Sequence, residues 1–291
     1  MIQLESEVWM YMKKFSTTMT AVMLMLTLCV GCGSATSEQS EPENTSADLW
    51  QQVEQWKTEY EWVDLSREVS EDTPHWTGFP AMKVEPLYHL EEDGFNVNTY
   101  TLVNQYGTHV DAPIHFVADT KYLGDFTPKD MVFPLCVIDK SAEAAENADY
   151  IMTVDDIKAW EAEYGEIPEG AFVAMRTDWS KRAPEDMNNF DEDGNKHYPG
   201  WSVEALQYLV EERNVGSIGH ETSDTDAPIL SSVNGYEAET YFLSQNLYQV
   251  EFMTNLSEVP ATGSVIYVTF PNVKDASGFT ARCFAICPKA E

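Results

Sequence analysis

The chain has 291 residues, 17 Lys and Arg against 49 Asp and Glu, a formal net charge of −32, and 43% hydrophobic residues. That apolar fraction can build a core and is too high for a disordered acidic polymer, and the length suits one large or two small domains. The negative charge argues against nucleic acid, whose phosphates need Lys and Arg to replace counterions, and against an electrostatic hold on anionic lipid; it favours cations or neutral solutes.

Lys13-Lys14, an apolar run from about Thr20 to Leu28 and the small residues up to Cys32 follow the order of a secretory signal. The run is shorter than the roughly 20 residues a membrane-spanning helix needs, so export is expected without a permanent transmembrane anchor. Val30-Gly31-Cys32 resembles a bacterial lipoprotein processing site, with Cys32 lipidated, although Cys29 stands where Leu is commoner. Cleavage near this point to a secreted form is the alternative. Glu5 and Glu7 are foreign to a signal, which makes Met12 an alternative start. Residues 32–47 have no large apolar residue and no positive charge, and read as a flexible tether. The resulting expectation is a signal segment over 1–31, a tether over 32–47 and one domain over 48–291. The membrane would be met only through the lipid, at the cell surface.

Asp48 is expected to cap a helix carrying Leu49, Trp50, Val53, Trp56 and Tyr60 at helical spacing. Strands are expected over 62–65, 96–103, 131–138, 171–175, 215–218, 248–253, 264–270 and 279–286. Helices are expected from the caps Thr153 and Ser202, with a third over about 236–243. Strands outnumber helices and alternate with them irregularly, which predicts a mixed α/β fold, a mixed sheet flanked by a few helices. Cys136, Cys283 and Cys287 read as buried thiols.

The segment Asn104-Gln-Tyr-Gly-Thr-His-Val-Asp-Ala-Pro-Ile-His-Phe116 carries the chemistry. On an extended chain Gln105, His109 and Asp111 project to one side, so an imidazole and a carboxylate can reach one ion. Pro113 should end the extended stretch and present His115 from another angle, with Gly107 allowing a bend ahead of the ligands. Neutral imidazole plus carboxylate suits zinc, manganese or ferrous iron, and the absence of nearby cysteines argues against a structural zinc site. A hydrogen-bonded structural cluster explains the same spacing.

Gly107-Thr-His-Val-Asp-Ala-Pro-Ile-His-Phe116 resembles the signature of the cyclase-like metal hydrolases, the family that includes bacterial kynurenine formamidase and isatin hydrolase. The resemblance extends over most of 62–288, through Pro199-Gly-Trp-Ser202, Gly219-His-Glu-Thr222 and Val250-Glu-Phe-Met-Thr-Asn-Leu256. It implies a swivelling β/β/α domain, with His109, Asp111 and the late carboxylate Glu251 as metal ligands and His115 as catalytic histidine. Gln105 stands where the formamidase motif begins with a ligand histidine, and Glu239 where those enzymes place another. Both exchanges put oxygen for imidazole nitrogen, which favours one harder ion such as Mn²⁺, or Zn²⁺ with fewer ligands; Gln105 can instead orient a ligand or the substrate. The implied reaction is metal-assisted hydrolysis of an amide, lactam or formamide of a small molecule, in an enzyme that pairs as a homodimer. A non-catalytic, solute-binding surface lipoprotein is the alternative.

Other residues are open to two readings. His75 and Trp76 fall where the family shapes its substrate pocket, or in an exposed aromatic loop. His220, Glu221 and the loop through Asp226 follow an apolar strand and either line the pocket or support its ligands from behind, or form a capped polar loop. Asp178 lines a pocket or caps a turn. His89 reads as structural, His197 as solvated, and the Asp191–Asn195 loop lacks the closing Glu of a calcium loop.

Overall fold

The computed structural model describes residues 45–289, so the signal segment, Cys32 and the tether up to Asn44 lie outside the described residues. The first helix, α1, runs over Thr45–Glu59. Asp48 is therefore in its first turn rather than at the cap, where its charge still complements the helix N-terminus.

Nine strands form one mixed sheet: β1 (Tyr60–Asp64), β4 (His109–Asp111), β5 (Val132–Asp139), β7 (Phe172–Arg176), β9 (Ser217–His220), β10 (Gln249–Glu251), β11 (Ser264–Thr269), β12 (Gly278–Thr280) and β13 (Arg282–Pro288). Their spatial order is β1-β13-β11-β5-β7-β9-β10-β4-β12. The centre, β5-β7-β9-β10, is parallel, and both flanks are antiparallel. Two further pairs stand apart, the hairpin β2 (Lys83–Tyr88) with β3 (Val97–Thr101), and β6 (Ile151–Met152) beside β8 (Gly200–Trp201). The helices after α1 are α2 (Leu90–Asp93), α3 (Ser141–Glu146), α4 (Val154–Tyr164), α5 (Val203–Gln207), α6 (Pro228–Asn234) and α7 (Glu237–Ser244).

The central strands are buried on both faces, which is why their sequences are continuously apolar. On β5, Leu135 and Val137 face one core while Cys136 and Ile138 face the other; on β7, Phe172 and Ala174 divide from Val173 and Met175 in the same way. The first core also takes Val63 of β1, Val110 of β4 and Cys283 of β13, so strands from both halves of the sheet curl around it. The second is covered by α4, α5 and α7 through Ile157, Trp160, Leu206 and Phe242. Thr153 and Ser202 cap their helices as expected, each hydroxyl accepting the backbone N–H three residues on, and Asp156 completes a capping box on Thr153. The helix from Ser202 is α-helical only through Gln207 and continues as one π turn over Tyr208–Glu212. Cys136, Cys283 and Cys287 are buried free thiols.

Candidate metal centre and active site

Strand register assembles the site. β4 runs antiparallel to β10 with His109 opposite Glu251 and Asp111 opposite Gln249, so alternation puts all four side chains on one face. β12 pairs the other edge of β4 with Gly278 opposite Asp111. A Cβ on Gly278 would come within 2.4 Å of the Val110 carbonyl and 2.9 Å of the Gln105 amide nitrogen, so the backbone must approach bare. Ahead of the strand, Gly107 turns at φ +63°.

The strand ends at Asp111, and Pro113 opens a 3₁₀ turn over Pro113–His115 that swings His115 back towards Asp111. Glu239 arrives from the first turn of α7, whose Ala238 and Glu239 N–H groups both donate to the Asp226 carboxylate. Directly after Glu251 the chain passes through Phe252 at φ 53°, a strained conformation for an aromatic residue. That turn is held by the Phe252 N–H donating to the Thr222 carbonyl and the Thr108 hydroxyl donating to the Phe252 carbonyl.

Two groups of three ligating atoms, each within 4.8 Å of one another, share one aspartate: His109, Asp111 and Glu251, and Asp111, His115 and Glu239. His109 Nδ1 is 2.8 Å from the Gly107 carbonyl, which can only accept, so Nδ1 carries the proton and Nε2 offers a lone pair. Nε2 lies 3.4 Å from Asp111 Oδ2 and 3.5 Å from Glu251 Oε2. Asp111 Oδ1 is buried without a hydrogen-bond partner, 3.8 Å from His115 Nε2. Burial, then the charge of Asp111, pushes the Glu251 and Glu239 carboxyls well above the usual range. Burial works the same way on Asp111, but His109, His115 and Gln249 together outweigh it and hold that carboxyl low. Three buried carboxylates with an orphaned oxygen are short of positive charge, and a divalent ion supplies it. The donor set, imidazole nitrogen with carboxylate oxygen, fits such an ion.

Gln105 stands outside both groups. Its amide nitrogen is 3.3 Å from His115 Nδ1 and 3.3 Å from Ser277 Oγ, so it braces the histidine. These groups floor a cavity of about 210 Å³, whose walls include Trp76, Phe79, Phe116 and Tyr236, with Ser223 and Asp224 at one side. His75, by contrast, stacks on Tyr106 with centroids 4.6 Å apart and is turned out of this cavity, its Nδ1 bonded to the Thr73 carbonyl.

His220 and Glu221 do not line the cavity either. Glu221 points away and accepts from the Thr177 and Trp179 backbone and the Ser180 hydroxyl, holding the turn in which Asp178 is left-handed. Asp178 accordingly serves the turn, paired with Arg176 and Lys181. His220 is wholly buried, with Nε2 3.5 Å from Glu251 Oε1, and burial lowers its pKa to about 3. His197 is not free in solvent: Nδ1 meets Asp149 at 2.9 Å and Nε2 meets Asp191 at 3.3 Å.

The sequence reading missed Phe79, Phe116 and Tyr236, the aromatic walls, and Gln249. Two of these had a signal: Phe116 adjoins His115, and Gln249 shares the strand face of Glu251 two residues on.

The putative cyclase family model matches residues 63–227. Isatin hydrolase of Roseibium aggregatum is 34% identical over 220 residues, covering 72% of this chain and 83% of that protein. The chain belongs to the cyclase family. Kynurenine formamidase of Bacillus anthracis is 37% identical over 81 residues, which span 28% of this chain and 39% of that protein. Among solved structures, isatin hydrolase A from Labrenzia aggregata bound to benzyl benzoate superposes with a TM-score of 0.78 at 32% identity, covering 83% of this chain and all of that one.

Proposed function

We propose that this cyclase-family chain is a metal-dependent hydrolase of the carbon–nitrogen bond in a small aromatic lactam or N-acyl compound, a reading supported by its similarity to proteins named isatin hydrolase and kynurenine formamidase. The observation that carries the reading is the convergence of His109, Asp111 and Glu251 on one strand face at the floor of an aromatic-walled cavity. The kinship is with hydrolases, and nothing supports the solute-binding alternative. A cavity of about 210 Å³ with aromatic walls suits a small ring compound.

His109, Asp111 and Glu251 would hold a divalent ion, Mn²⁺ or Zn²⁺, which when bound lowers the pKa of water from 15.7 to about 7 and polarises a carbonyl oxygen. The chain's own part in proton transfer falls to His115, whose Nε2 faces Asp111 while Gln105 meets Nδ1. The orientation of the Gln105 amide sets the tautomer of His115: N–H donated to Nδ1 puts the ring proton on Nε2, ready to be given up, whereas the amide oxygen accepting from Nδ1–H leaves Nε2 free to take a proton. The buried His109, Asp111 and Glu251 keep their lone pairs for the ion and carry no protons to substrate.

The hairpin β2/β3 supports a homodimer: every one of its residues is exposed, Leu87, Tyr88 and Tyr100 among them, and an isolated two-stranded hairpin is marginal in water. The basic, apolar and small-residue order through Cys32 supports export and a lipid anchor. The testing experiment is elemental analysis of protein purified without chelator, beside His109→Ala. Stoichiometric manganese or zinc in the wild type and its loss in the variant is the expected result. A wild-type protein that holds neither ion, even when both are added, sinks the reading.

A further inference from the structure

Gln249 is fully buried, on the face of β10 between the two ligand groups. Its Nε2 lies 2.9 Å from Glu239 Oε1, 3.1 Å from Glu251 Oε1 and 3.5 Å from Asp111 Oδ2. An amide nitrogen has two hydrogens. The two shorter contacts take them, one from each ligand group, and Asp111, common to both groups, feels the remaining dipole. The carboxylates set the amide's orientation, since a reversed amide would aim its oxygen at all three, and the fully buried Thr225 hydroxyl, donating to Oε1 at 2.8 Å, holds the other end of the amide in place. Glu251 Oε1 is thereby occupied, with His220 Nε2 on its other side, and Oε2 is the oxygen left facing His109.

We infer that Gln249, locked by Thr225, is the positioning residue of this metal centre: it fixes Glu239 and Glu251 relative to Asp111 so that their free oxygens face the ion. The inference rests on the proposed metal site. An amide suits this place for a reason of charge. Lysine or arginine here would compete with the ion, and aspartate or glutamate would add a further buried anion, whereas a neutral donor orients carboxylates and leaves their negative charge to the metal.

The test measures binding of Mn²⁺ alone and Zn²⁺ alone by calorimetry and elemental analysis, with thermal unfolding of the metal-free proteins alongside, for wild type, Gln249→Met, Thr225→Val and Thr225→Ser. Gln249→Met should weaken metal binding about 10- to 100-fold, the usual cost of losing a partner behind a ligand. Thr225→Val should move affinity in the same direction, and Thr225→Ser, which keeps the hydroxyl, should retain wild-type affinity. Wild-type affinity in Gln249→Met overturns the inference, as does a loss of thermal stability with affinity unchanged, which would make Gln249 a scaffold residue only. If Gln249→Met does not fold, the Val and Ser variants of Thr225 decide, equal affinity in the two being the overturning result. A wild type that binds neither ion fails before any variant is compared, and overturns the metal centre itself together with this inference.

Discussion

His115 leaves 31% of its side chain accessible, whereas His109 leaves 5%. That difference separates their roles: a buried imidazole with its tautomer fixed by Gly107 is suited to hold an ion, and a half-open one at the cavity floor can meet a substrate. His115→Ala should therefore lower turnover about 10²- to 10⁴-fold, the usual weight of a general acid–base, while metal content stays at the wild-type level. Simultaneous loss of metal would place His115 among the ligands instead. At this scale the motif residues were legible because they lie within seven positions of one another. The sense of Glu221 and His75 was not: each is turned by contacts to residues distant in the chain, Glu221 to Thr177 and His75 to Tyr106.

Between elements, the close approach of β12 to β4 is as consequential as any side chain. Gly278→Ala should destabilise the protein by about 1–3 kcal/mol, the ordinary cost of overpacking, and weaken metal binding through Gln105 and Asp111, seen as a lower unfolding midpoint and a reduced metal content. Unchanged metal binding would show that β12 yields without moving the ligands. A second link is the triad Asp149–His197–Asp191, which ties the loop after α3 to the loop before β8. Hydrogen bonds that His197 donates to Asp149, then to Asp191, raise its pKa above the ordinary 6.5. The folded state thus holds this proton more tightly than the unfolded chain, so the contribution is complete below about pH 6.5 and is lost as pH rises through the higher folded value. Thermal unfolding of wild type and His197→Gln should differ at pH 6 and converge above the folded pKa; a gap independent of pH would show that His197 stays uncharged. The central strands and the caps Thr153 and Ser202 were legible as elements because burial on both faces and a hydroxyl before a helix are local signals. The hairpin β2/β3 was only half seen, β3 alone being expected, since with no buried face its residues show no pattern that selects a strand.

On the scale of the whole molecule, a net charge of −32 surrounds a site that itself gathers Asp111, Glu239 and Glu251 beneath a cavity. Such a field draws a divalent cation inwards, and metal association should slow as salt is raised towards the physiological Debye length of about 8 Å, read by stopped-flow at increasing ionic strength; a salt-independent rate would confine the attraction to the site itself. The exposed hairpin sets the other large-scale expectation. Sedimentation should find a dimer, and Tyr100→Asp with Leu87→Asp should shift it towards monomer; a monomeric wild type removes the hairpin's proposed role. No helix among the described residues is long and apolar enough to cross a membrane.

What the sequence determined by itself is whatever short-range chemistry dictates: a mixed α/β composition of strands and capped helices, buried thiols, and a ligand-bearing extended segment stopped by Pro113. The family resemblance could name Glu251 and Glu239 beside that segment, but tertiary structure decided how they reach it, and it alone brought in Gln249. Glu251 meets His109 only through the β4–β10 register, Glu239 only through the start of α7 on Asp226, and Gln249 reaches three carboxylates because strands far apart in the chain lie side by side. The reason is physical: strand pairing and helix placement are settled by burying both faces of one sheet at once, and no single stretch of sequence carries that constraint.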